Sequence, residues 1–165
     1  MKRILTLCCT LLVAAIGLQA QTMDSLLRAM PDSILPLLTR NDRLDMLDYA
    51  AAKQDAELTN RLGGKSQMVT LTDTYALIRL TETSDVQLKL LLRDGIPTIC
   101  LVRTRRSQSL ADSNVTFYTT DWQPLAPPEG WHVPEGYTEV TLHADTDAVD
   151  FHTGTMVLPA SPFSK

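Results

Sequence analysis

Cysteine, histidine and aromatic residues are all scarce in this chain. Of 165 residues, three are cysteine (Cys8, Cys9, Cys100), three are histidine (His132, His143, His152), and aromatics make up 5%. The strings that usually carry chemistry on such residues are missing as well. There is no Cys-x-x-Cys, no His-Glu-x-x-His and no Gly-x-Ser-x-Gly, which removes the motif-borne zinc, redox and serine-hydrolase readings. Positive charge is also short. At a formal net charge of −4 the chain has no basic surplus for nucleic acid or for an anionic membrane. Arg103, Arg105 and Arg106 form the one dense basic patch, which reads as a solvated loop.

What the chain has at its start is the pattern of an export signal. Lys2 and Arg3 precede an uncharged run from Ile4 to Ile16, Gly17 breaks it, and Leu18-Gln19-Ala20 offers a cleavage site before Gln21. An apolar stretch of roughly 7–15 residues suits a signal peptide and falls short of the ~20 that a membrane span needs. The expectation is a cleaved signal peptide over 1–20 and a single exported domain over 21–165, periplasmic or secreted, without stable membrane insertion. Cys8 and Cys9 sit too early in the apolar run to be a lipoprotein cysteine, and they leave with the leader. Cleavage takes two of the 15 basic residues, so 13 face 19 acidic ones and the net charge becomes −6. Cys100 is then the only cysteine, so no disulfide can form within the chain, a condition easier to meet in a bacterial periplasm than in a small extracellular eukaryotic domain. Its setting, Ile99-Cys100-Leu101-Val102, reads as a core strand.

Helical spacing comes first along the chain and alternation follows. Met23 to Leu38 reads as helix interrupted at Pro31 and Pro36, with Asp24 and Asp32 as candidate N-caps. Asn41 to about Leu58 is predicted as the best helix, with Leu44, Leu47, Ala51 and Leu58 on its apolar face and Thr39 or Asn41 as cap; Glu57 to Arg61 is alternatively the start of a strand. After Gly63-Gly64 the period becomes two. Strands are predicted over 68–71, 75–81, 86–93, 96–103, 114–119, 137–143 and 155–158, with Asp94-Gly95 as a hairpin turn. In the third of these, Val86, Leu88, Leu90 and Leu92 alternate with Gln87, Lys89 and Arg93, the pattern of a half-buried strand with the second set toward solvent and Leu91 as the exception. Connections this short imply an antiparallel meander. The predicted class is α+β, with N-terminal helices packed on a meander sheet.

Three candidate sites emerge. Gly63-Gly64-Lys65-Ser66 ends like a phosphate-binding loop, but Thr59 stands where that motif requires its first glycine and a strand follows instead of a helix, so it reads as a turn. His143, Asp145, Asp147, Asp150 and His152 form the densest polar cluster. In an extended chain 143, 145 and 147 share a face, and imidazoles with carboxylates can bind zinc or calcium. The calcium-loop register fails, because Asp150 and Met156 occupy the positions that need glycine and glutamate. No cofactor is predicted. Trp122, Trp131 and Tyr137 bracket a loop holding Pro124, Pro127, Pro128 and Pro134. Aromatics on a stiff loop can grip a glycan or a peptide, or pack on the sheet as anchors. Asn114-Val115-Thr116 matches a glycosylation string but reads as strand.

The strings from Leu38 to Tyr49, Thr59 to Ser66, and Asp112-Ser113 with Val115 to Tyr118 and Trp122 resemble an uncharacterised family of small secreted proteins from Bacteroidales-type bacteria. The resemblance implies export and a small α+β domain, and assigns no catalytic residue. The reading that results is a non-enzymatic periplasmic or secreted binding or accessory protein with a protein or glycan partner in the cell envelope. The alternatives are a small metal-dependent hydrolase using the His143–His152 cluster and a structural subunit of an envelope assembly.

Overall fold

Two short helices form where a capping residue meets an apolar stripe. In the computed structural model, which describes residues 21–93, 95–107, 110–153 and 156–160, α1 spans Met23–Ala29. Its cap is Thr22, not Asp24: Thr22 and Ser25 exchange the reciprocal bonds of a capping box, and Met23, Leu26 and Leu27 turn inward. Pro31 follows the C-cap Met30. Helix α2 spans Arg40–Ala51, with Thr39 accepting from the Asp42 amide (3.1 Å) and Asp42 accepting from the Thr39 amide (2.6 Å). Arg28 joins the helices, reaching Asp24 at 2.8 Å on its own turn and Asp48 at 2.9 Å on α2.

The apolar face expected for α2 is corrected. Its buried residues are Arg43, Met46 and Leu47, while Leu44 is half-buried and Ala51 exposed. The helix also stops short of Leu58, because the chain turns out through Lys53 at φ 55° and Leu58 enters a strand. The stripe rotates because the Arg43 guanidinium collects partners from the preceding loop, which a pattern that counts arginine as a surface residue cannot anticipate.

Seven strands then pair in chain order: β1 (Glu57–Thr59), β2 (Lys65–Leu71), β3 (Tyr75–Thr81), β4 (Ser84–Arg93), β5 (Ile96–Ser107), β6 (Leu110–Thr119) and β7 (Pro124–Leu125), all antiparallel. The Gly63-Gly64 segment is the β1–β2 turn. Gly63 has φ 78°, and the Asn60 side chain ties the turn by accepting from Leu62 (3.0 Å) and Gly64 (3.2 Å) and donating to Ser66 and to the Leu80 carbonyl. Arg103, Arg105 and Arg106 are not a loop. They lie on β5, where Arg103 donates to the Ile34 carbonyl and Arg106 pairs with Asp85 and Glu139.

A second sheet follows, with β8 (Glu139–Leu142), β9 (Val149–Thr153) and β10 (Met156–Ala160) in the order β10-β9-β8. The main sheet is therefore covered on both faces. Ala76, Ile78, Val86, Leu88, Ile99 and Leu101 meet the helices, while Tyr75, Leu91, Cys100, Val102 and Phe117 meet Val140, Leu142, Val149 and Phe151. This corrects the half-buried reading of β4. Gln87 and Lys89 are buried beneath the second sheet, whereas Leu92 is 71% exposed, because β3 ends opposite Lys89 and β6 opposite Thr98. Among the described residues, two helices with a seven-stranded antiparallel sheet make the fold α+β-like and mostly sheet. The leader, Asp94 of the predicted hairpin turn and Thr155 of the last predicted strand lie outside the described residues. Among those described, no helix is long and apolar enough to cross a membrane.

Candidate functional site

The polar residues that alternation assigned to solvent converge instead at the junction of the two sheets. The outer edge of β8 is satisfied by side chains of the main sheet. Gln87 accepts from the Leu142 amide (2.8 Å) and donates to the Val140 carbonyl (3.3 Å). Ser113 accepts from the Val140 amide (3.0 Å) and shares a hydrogen bond of 2.8 Å with Thr104. At one end of the strand Arg106 bridges Asp85 and Glu139. At the other, Lys89 donates to the Ala144 carbonyl at 2.9 Å and faces Asp147 at 3.9 Å. Burial lowers the Lys89 pKa, and Asp147 and Asp145 oppose that shift.

The aromatic candidates are drawn into packing on both sides of the main sheet. Trp122, at φ 62°, is buried in the helix-facing core, donates from Nε1 to the Leu26 carbonyl (3.1 Å) and lies 5.8 Å from Tyr118. It is the anchor that joins α1 to the β6–β7 turn. Trp131 is half-buried, edge-on to Phe117 at 5.0 Å and 5.6 Å from Phe151. Tyr137 meets Phe151 at 5.8 Å, and its hydroxyl donates to the Ser113 carbonyl (3.3 Å). Trp131 and Tyr137 are thus brought together, and Trp122 is apart from them.

The His/Asp cluster divides three ways. His143 pairs with Asp150 at 2.8 Å, His152 bonds Thr141 at 3.2 Å, and Asp145 and Asp147 lie beside Lys89. The extended chain that would align 143, 145 and 147 ends at Leu142, and a turn follows. Among the described residues, no three His, Cys, Asp or Glu side chains are grouped to hold a metal ion. An imidazole fixed by a carboxylate is the orienting half of a general-base arrangement, and His143–Asp150 supplies that half. Two open grooves lie elsewhere. One of about 500 Å³ runs past Asp24, Lys53, Met68 and Asp73, and one of about 570 Å³ past Arg105, Arg106 and Leu110. No histidine lines either groove.

Cys100 sits on the floor of the junction, fully buried, and its thiol is pushed up to about 12 by burial. In a chain with Cys8 and Cys9 replaced by serine, no thiol should react with a disulfide reagent at mildly alkaline pH until denaturant is added. Rapid reaction of the native protein would show that the junction opens.

The family described as "Protein of unknown function (DUF3256)" matches residues 15–159. The chain belongs to the DUF3256 family. Its fold is similar to that in a solved structure described as "Structure of a domain of an uncharacterized protein from Porphyromonas gingivalis W83", with a TM-score of 0.67 and 24% identity over 80% of this chain and 82% of that one. No curated protein matches the DUF3256 chain. The residues on which the sequence resemblance rests include structural devices of this fold: the Thr39–Asp42 capping box, buried Arg43, the Asn60 turn and Ser113.

Proposed function

We propose that this DUF3256 protein is an exported, non-enzymatic binding or accessory protein with a protein or glycan partner in the cell envelope. The observation that carries the reading is the β4–β5 hairpin. It stands clear of β3 and β6 and presents Leu92 (71% exposed) and Ile96 (66% exposed) on opposite faces. Apolar side chains on both faces of a projecting hairpin suit insertion into a partner. The uncharged run Ile4 to Ile16 behind Lys2 and Arg3 supports export. In cross-linking on intact envelopes, the native chain should yield a defined adduct that a Leu92→Asp/Ile96→Asp chain of unchanged stability does not. An adduct indifferent to both substitutions would remove the hairpin from the reading.

The His143–Asp150 pair favours a second reading, a small metal-dependent hydrolase. Metal analysis of the purified protein separates the two. Stoichiometric zinc or calcium that is lost on His143→Ala and Asp150→Ala would replace the binding reading with the hydrolase.

A further inference from the structure

Strand β8 pairs with β9 along one edge, and its outer edge is docked by side chains of the main sheet, not by another strand. A primary amide carries the same donor and acceptor as a peptide group. Gln87 therefore engages the main chain of an extended segment on either side of Thr141, without regard to the side chain there. Ser113, oriented by Thr104, takes the remaining Val140 amide, and Lys89 takes the Ala144 carbonyl. Side-chain identity enters at three places. Arg106 meets the carboxylate of Glu139, and Val140 and Leu142 fill the apolar floor around Cys100 and Val102. Thr141, between them, is only half-buried.

Gln87, Lys89, Thr104 and Ser113 are all buried, and polar groups left under cover without partners cost free energy. On a sheet face destined only to pack apolar residues, such a set would be a liability. It is suited to holding a main chain. The segment that fills it is reached through the proline-rich stretch from Pro124 to Pro134, which carries no regular strand between Leu125 and Glu139.

We propose that the outer face of β4–β6 is a receptor for an extended peptide of the pattern acidic–apolar–any–apolar, and that Glu139 to Ala144 occupies it as a built-in ligand. A partner strand of the same pattern enters by displacing β8, a form of strand recognition in which side chains replace the edge of a sheet. The inference rests on reading the chain as a binding protein, and it names the partner chemistry.

The test uses the full chain and a synthetic peptide of the sequence from Thr138 to Asp145. Peptide in excess should speed hydrogen exchange of the Val140 and Leu142 amides by about tenfold and leave Ile99 and Leu101 in β5 unchanged, because only β8 opens. A peptide with aspartate in place of both apolar residues should have no effect. A Glu139→Ala chain, whose built-in ligand has lost its pair with Arg106, should respond at several-fold lower peptide concentration. Unchanged exchange in both chains overturns the proposal, and so does an equal rise in β5. The exchange result does not depend on Leu92 or Ile96, so the receptor and the hairpin reading fail separately.

Discussion

Replacing Arg43 by alanine should lower the free energy of unfolding by about 2–4 kcal/mol, the largest effect expected for any charged residue of the helix layer. Arg43 is 1% exposed, among the most deeply buried side chains described. Its guanidinium donates to Asp32 at 2.9 Å, to the Leu38 carbonyl at 3.1 Å and to the Met30 carbonyl. It therefore closes the loop between the helices from three sides, while Nε lacks a partner. Asp32 is 45% exposed and keeps Arg61 at 3.5 Å when Arg43 is removed, so little of the loss is an orphaned charge. The loss comes from the Met30 and Leu38 carbonyls left under cover and from the void that the fully buried arginine side chain leaves. Arg43→Lys should recover only part of it, since one ammonium cannot span donors that a planar fork places apart. Arg43→Met, which fills the space without hydrogen bonds, separates packing from bonding. Denaturant unfolding measures all three. An alanine variant within about 0.5 kcal/mol of the native chain would show the bonds to be incidental.

The meander was largely legible because its signals are local. Alternation with short polar turns located β2 to β6, and β3 falls over Tyr75–Thr81 as predicted. What alternation cannot show is a second layer arriving from far along the chain. Gln87 and Lys89 look like the solvent side of a half-buried strand. Their partners, Val140, Leu142 and Ala144, lie 53 to 55 residues further on. The same distance hides the candidate site. Ser113 and Thr104 are unremarkable as sequence, and only the arrival of β8 gives them a common task. The histidine cluster shows the opposite case: proximity in sequence suggests a shared face, but the chain after Leu142 brings His143 to Asp150 and the two aspartates to Lys89. Leu91, an exception to the alternation, carried the clue. An apolar residue on the supposed solvent face is what a covered sheet requires.

Phe151→Ala should cost about 3–5 kcal/mol, the range for emptying a well-packed aromatic site. The ring is fully buried, contacts both Trp131 and Tyr137, and sits on β9 opposite Val140 of β8. It packs beside Val140 on the same face, and its ring meets Trp131, which in turn stands edge-on to Phe117. How the loss appears will decide whether the two layers unfold together. The two tryptophans report on different faces, Trp122 on the helix-facing core and Trp131 on the junction. In Trp122→Phe and Trp131→Phe backgrounds, each can be followed alone. With Phe151 removed, Trp131 should shift to the red at lower denaturant than Trp122, because the second sheet is held by one apolar cluster and a row of side-chain bonds. Coincident transitions would make both faces one cooperative unit, and would require any partner strand that displaces β8 to destabilise the helix layer as well. Separate transitions would give the junction the independent opening that strand exchange needs.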